Sequence, residues 1–423
     1  MNSVMRWVWA LSVVGACSDR EPDLYRASTV VAQASLSNDS TAKESRLGAA
    51  DVSVLFPATD GAALWPASME TTSGPLLPRE AFELNGRSLV REVEDSAEYD
   101  ALRVVGMRFD PCFQHTLGGA CEPQVRLVLQ VPLATDEGSV DFADGAVHAL
   151  YALTFERFEE LVTALTALAA PTSAAAPDSN GNAPSRHAPL GVHPTLEREG
   201  VGGPFGSALA SIAKAHLGPA TLTRVTFMTR TAAVAGQWQF SGFEILDRRD
   251  KSKEADPKGQ RLEGQRLVIA GVGVTMQNVT RDRHIPEADH IFAYTVHPLF
   301  ADKSGRLGAS GVYLAKASPE ERQSVHAWAL RQESPSAHLP DTTDCASCHL
   351  SNHVGRRVEA VSDDLLFEAN RPDRVTSPAE TDADNLRAFG YFGRHPQVAQ
   401  RTANETAAVL RRLERPQEQR YQP

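Results

Sequence analysis

Apolar and polar positions change their rhythm several times along this 423-residue chain. From residue 51 the pattern is strand-like. Leu102 to Phe109 is a mixed apolar run, and Gln124 to Leu133 alternates, with Val125, Leu127, Leu129, Val131 and Leu133 on one face. Between these runs lies DPCFQHTLGGAC, whose Gly-Gly pair predicts a turn. Phe155, Phe158, Leu161, Val162, Leu165 and Leu168 then recur at helical spacing and predict one buried stripe. Residues 170–189 are a Pro/Ala/Ser/Asn linker, and they close a β-rich domain with a terminal helix over 51–169.

A second α+β domain is expected over 190–315. Pro204 suits the first turn of a helix carrying Phe205, Leu209, Ile212 and Leu217. Val225 with Phe227, Trp238 with Phe240, and Val268, Val272, Val274 and Met276 alternate as strands do. The charged segment DRRDKSKEADPKGQRLEGQ separates them as a loop. Ser318-Pro319-Glu320-Glu321 combines a serine cap, proline at N1 and glutamate at N3, and Thr402-Ala403-Asn404-Glu405 has the spacing of a capping box. The fold expected is α+β: two β-rich domains, or one large bipartite β-rich region, followed by a small all-α domain over 316–423.

Composition narrows the function. With 42 Lys+Arg against 53 Asp+Glu the net charge is −11, which leaves no cationic surplus for displacing counterions from phosphates and argues against nucleic acid as a partner. No run of eighteen apolar residues predicts a spanning helix. The glycines around Gly200, Gly202 and Gly203 fail G-x-G-x-x-G and lack a Walker lysine, so they read as a helix-start turn. No G-x-S-x-G nucleophile elbow occurs, and His284, His290 and His297 lack a spacing that would share one face.

Residues 1–16 join Arg6 to a short apolar stretch from Trp7 to Ala16, which is the shape of an export signal. Val14-Gly15-Ala16-Cys17 resembles the lipobox of bacterial lipoproteins, a family in which the cysteine is acylated and becomes the new N-terminus. That resemblance implies lipidation at Cys17, a lipid-anchored protein of the cell envelope, and the membrane as a partner. Ser18 ahead of Asp19 leans towards the outer membrane, with the protein facing the periplasm or the surface. Residues 17–50 are Ser/Ala/Thr-rich and read as a flexible tether.

Export bears on the other four of the five cysteines, because thiols oxidise outside the cytosol. Cys112 and Cys121 flank the Gly-Gly turn and are expected to form a disulfide. Cys345-Ala346-Ser347-Cys348-His349 is C-x-x-C-H, the attachment signal of c-type haem. On a helical turn two thiols reach the two vinyl groups of one porphyrin edge, and the adjacent imidazole becomes the proximal ligand. A zinc site with His353, or a plain C-x-x-C disulfide, are the competing readings.

Residues from about 318 to 423 resemble a small class-I-type cytochrome c domain, with a helix before C-x-x-C-H and another after it. The resemblance implies one covalent haem c per chain, held by Cys345, Cys348 and His349, electron transfer to an unidentified redox partner, and Leu386, Phe389, Tyr391 and Phe392 as haem lining. The family commonly supplies a distal methionine, but no methionine follows Met276. His395-Pro396 takes that place, so bis-histidine ligation by His349 and His395 is expected, with His353, His338 and His326 as fallbacks. A single C-x-x-C-H does not support a dihaem peroxidase. The whole chain also resembles large bacterial lipoproteins, which implies no particular activity.

Overall fold

The computed structural model describes residues 47–58, 61, 63–83, 89, 95–114, 119–135, 139–143, 145–173, 190–230, 238–247, 260–262, 265–273, 317–337, 348–349, 351–352, 355, 358–359 and 388–422. Cys17 and its signal, most of the tether, the core of the 170–189 linker, Cys345, and His115, His284, His290, His297, His338 and His353 lie outside these residues. Residues 45–423 form one compact unit.

In chain order the described strands are β1 (Ser53–Leu55), β2 (Glu70–Thr71), β3 (Gly74–Pro75), β4 (Arg103–Phe113), β5 (Glu122–Gln130), β6 (Pro132–Ala134) and β7 (Val140–Phe142). They continue as β8 (Ala146–Ala152), β9 (Leu222–Arg230), β10 (Trp238–Asp247), β11 (Gln260–Leu262), β12 (Gln265–Gly273), β13 (Phe389–Phe392) and β14 (His395–Val398). The helices used below are α1 (Ala49–Val52), α2 (Arg79–Glu83), α3 (Asp95–Ala101), α4 (Phe155–Ser173), α5 (Pro194–Glu199), α6 (Pro204–His216), α7 (Pro319–Glu333) and α8 (Gln400–Leu413).

One eight-stranded sheet, in the order β1-β4-β5-β8-β9-β10-β12-β11, organises the molecule. Its pairings are antiparallel, and β8 pairs directly with β9, from Ala146↔Met228 to Tyr151↔Leu222. The stretches on either side of residues 170–189 therefore share a single sheet rather than building two. This is the large bipartite β-rich region, with α4, α5 and α6 in the connection between β8 and β9. Pro204 opens α6 as expected, and Ser318 caps α7 with Glu321 answering it in a capping box.

The strand register separates two faces. Val54, Met107, Leu127, Ala149 and Val225 stand opposite one another in successive strands, and all are buried. This is the face the alternation of Val125, Leu127 and Leu129 predicts. Phe82 of α2 lies 6.2 Å from Phe227, and the Tyr151 hydroxyl donates to the Leu76 carbonyl at 2.6 Å. Phe158, Leu161 and Leu165 of α4 join the same core.

The opposite face is polar, and it is covered as well. Across it run Ser53, Arg108, Arg126, Leu150 and Arg224, and next to them Leu55, Gly106, Val128, His148, Thr226 and Gly242. An exposed antiparallel sheet would leave such side chains in water. Here the C-terminal residues lie over part of them. The Phe389 ring packs against Gly106, where any Cβ would stand 2.6 Å from its Cε1. The Gln130 amide donates to the Tyr391 carbonyl at 2.9 Å and accepts from the Tyr391 N–H at 2.7 Å.

The expected all-α C-terminal domain is thus corrected. Residues 389–398 form a β-hairpin, turned at Gly393 with φ +56. Phe389 and Tyr391 follow a period of two and fill the space above the sheet, with Tyr391 stacked 4.8 Å from Phe142 and donating to the Phe56 carbonyl. The last long helix starts at Gln400, not at a Thr402 cap. Thr402 lies inside it and donates to the Ala388 carbonyl, and Glu405 turns to arginines instead of to a cap. Buried charge on the sheet outcompetes the local cap for that carboxylate.

Candidate functional site

The described part of the C-x-x-C-H segment is helical at residues 348–349, 351–352, 355 and 358–359. Ser351, Gly355 and Val358 are buried at helical spacing, and Gly355 faces Ala329 of α7. His326 of α7 holds Glu359 at 3.0 Å, and the Ser351 hydroxyl donates to the Cys348 carbonyl at 3.0 Å. These contacts leave Cys348 and His349 half-buried.

Helix α8 ties α7 to the sheet. Arg401 donates to the carbonyls of Gln332 and Ser334 at 2.9 and 3.0 Å, and Asn404 donates to that of Glu333 at 3.0 Å. On its other side Glu405 accepts from Arg108 and from Arg401, each at 2.6 Å. Arg108 also donates to the Ser53 hydroxyl, which is paired with Thr406 at 2.6 Å. Because Thr406 donates its own proton to the Thr402 carbonyl, Ser53 is the donor in that pair.

Around this junction charge accumulates on the polar face. Burial alone would raise the Glu405 carboxyl, but Arg108, Arg401 and Arg126 together hold it well below the ordinary 4.5. Burial, with Arg108 beside it, lowers Arg126, while Glu405, Asp110 and Cys348 act in the opposite direction. For Arg401 burial is outweighed by Glu405 and Cys348, and the guanidinium is raised. Cys348 therefore stands within electrostatic reach of two arginines, one on β5 and one on α8. Beside it, the His349 ring faces the His148 ring of β8, with centres 6.4 Å apart and planes 20° apart.

The other expected site residues fall elsewhere. His395 opens β14, exposed and paired with Phe392, and no described contact joins it to His349. His326, a fallback ligand, is engaged with Glu359. Cys112 and Cys121 form the expected disulfide, and the Arg412 guanidinium approaches the Cys121 sulfur at 3.7 Å. The glycine turn before α6 is a helix start: Gly203 is its N-cap and Pro204 follows. Another histidine, His193, is structural. It caps α5 by accepting from the Leu196 N–H, so its other nitrogen donates to Asp51 at 3.2 Å.

Arg108, Arg126, Arg401 and His148 carry no sequence motif, and the capping-box spacing of Glu405 pointed to a different role. Arg126, Val128 and His148 occupy the positions of their strands that alternation assigns to the polar side, and only the covering C-terminal residues make them a site. Chemically, the arrangement offers a thiol and an imidazole on one helical turn, a second imidazole opposite the first, and a cationic edge. A covalent haem takes that donor set: thiol for attachment, imidazole for iron. Among the described residues no three His, Cys, Asp or Glu side chains gather as a metal-ion site. No helix of the described residues is long and apolar enough to cross a membrane. Comparisons with family models, curated proteins and solved structures found no match to this chain.

Proposed function

We propose that this chain is an exported, lipid-anchored c-type monohaem protein that transfers electrons. The observation that carries the reading is Cys345-Ala346-Ser347-Cys348-His349, with Cys348 and His349 presented side by side on a helical turn. Cys345 and Cys348 would hold the porphyrin edge and His349 the iron. When bound, the haem supplies one-electron chemistry. The polypeptide supplies the rest. The contacts of α7 hold the segment that carries His349, the His349 ring lies beside His148 of the sheet, and Arg126 and Arg401 stand within electrostatic reach of Cys348. Cys17 would anchor the chain to the envelope membrane, on the outer-membrane side, with each buried CH₂ of its lipid contributing about 0.8 kcal/mol.

The test is covalent. The full chain is expressed in a host with haem-attachment machinery, denatured, and inspected for haem that stays on the polypeptide. Wild type should carry one haem, and Cys345→Ala with Cys348→Ala should carry none. A colourless wild-type chain, or one holding zinc in equal amount, would overturn the reading. Release of Cys17→Ser from the membrane fraction tests the anchor separately.

A further inference from the structure

We infer that Arg126 and Gln124, neighbours on β5, form a binding site for a small oxyanion of carboxylate or phosphate chemistry. Two residues apart on one strand, they share the polar face of the sheet, where Glu405 of α8 meets Arg108. Arg126 stands directly opposite Arg108 of β4, and Gln124 directly opposite Asp110. Both oxygens of Glu405 are already taken, Oε2 by Arg108 and Oε1 by Arg401. Arg108 gives a second N–H to Ser53, and Arg401 gives others to the carbonyls of Gln332 and Ser334. Arg126 has no such acceptor. Among the described residues no hydrogen bond or ion pair holds its guanidinium, which lies 5.8 Å over the Phe113 ring.

Gln124 adds a second, independent observation. It is only 3% exposed, and among the described residues its side-chain amide has no hydrogen-bond partner. Buried amides are ordinarily bonded, and a guanidinium held among other cations ordinarily faces an anion. Here Arg108 sets a like charge directly across from Arg126. Asp110 does not balance it. Its Oδ1 accepts from the Cys112 N–H at 2.9 Å, and burial raises its carboxyl towards the neutral form. Arg108, Arg126 and Arg401 therefore surround one committed carboxylate, that of Glu405. What complements this surplus is a single small anion rich in acceptors. A guanidinium fork offers it two parallel N–H bonds, and the neighbouring amide offers a third donor. On β8, Leu150 stands beside Arg126 and Ala152 beside Gln124, so neither position brings a competing side-chain acceptor. The site owes nothing to the C-x-x-C-H segment and stands without the haem reading.

The experiment uses the full-length chain at constant ionic strength, with chloride as the reference salt. Phosphate and acetate are titrated separately, by calorimetry and in thermal melts, so the two arms tell phosphate from carboxylate. Wild type should bind one anion per chain, and its melting midpoint should climb by a near-constant step for each tenfold rise in that anion. Arg126→Gln should bind it ~10-fold more weakly or worse. In chloride alone the same variant should melt no lower than wild type, because it removes a cation that the chain does not pair. Gln124→Leu should weaken binding by a smaller factor and keep its fold. Arg79→Gln, at an exposed arginine paired with Asp100, should respond as wild type does. A wild type that answers neither anion would overturn the site, as would an equal response in Arg126→Gln. So would an Arg126→Gln chain that melts far lower in chloride or does not fold, since its guanidinium would then already have a partner within the chain.

Discussion

Arg108 on β4 donates to Glu405 on α8 at 2.6 Å, and this ion pair joins positions 297 residues apart across the polar face of the sheet. Glu405 is also held by Arg401, so its removal leaves two guanidinium groups without their anion. Glu405→Ala should destabilise the protein by about 3 kcal/mol, measured by urea unfolding. The sign of the pH dependence follows. A carboxyl held below its ordinary 4.5 stabilises the fold above that pH, and this stabilisation drains away as the pH falls further. Wild type should lose stability steeply below about pH 4.5, and Glu405→Gln should show a shallower acid limb. Equal slopes in the two proteins would remove Glu405 from the account.

Gly106 and Phe389 test the docking of the hairpin. An added methyl group at Gly106 meets the ring at 2.6 Å, so Gly106→Ala should cost about 1–3 kcal/mol through overpacking. In a Phe389→Leu background the same change should cost much less, a coupling that a double-mutant cycle reads directly. Additive effects would place the ring elsewhere.

The Cys112–Cys121 disulfide closes a short loop, with a sequence separation of 9. Loop-closure entropy then assigns it about 2–3 kcal/mol, so Cys112→Ser with Cys121→Ser should lower the melting temperature, and reductant should do the same to wild type only.

Arg126 tests the electrostatics of the Cys348 edge under the proposed haem reading. A cation near the iron disfavours its ferric form, so Arg126→Gln should lower the reduction potential, more at low ionic strength than at high. A potential unchanged in redox titration would separate the Cys348 edge from the haem.

Much of the secondary structure was legible in local pattern. Val125, Leu127 and Leu129 marked the core face of β5, and Ser318 with Glu321 marked the start of α7. The C-terminal topology was not. Phe389 and Tyr391 lie on one four-residue strand, too brief for their alternation to stand out, and the spacing of Thr402 and Glu405 imitated a cap. What decides their fate is a sheet face assembled from strands hundreds of positions upstream. The site divides in the same way. Cys345, Cys348 and His349 announce themselves by adjacency, whereas Arg126, Arg401 and His148 come near Cys348 and His349 only through register and packing, which leave no spacing in the sequence.

Ser53 and Thr406 share a hydrogen bond across 353 positions, so the first strand of the sheet and its last long helix complete one another. Contacts of such long range form slowly, because the loop between them must close before they are gained. Synthesis runs from the N-terminus, so Ser53 of β1 and Arg108 of β4 wait without Thr406 and Glu405 until the final residues arrive. Timing is thereby built into the order of the chain: the sheet is made first, and the last helix closes over its polar face.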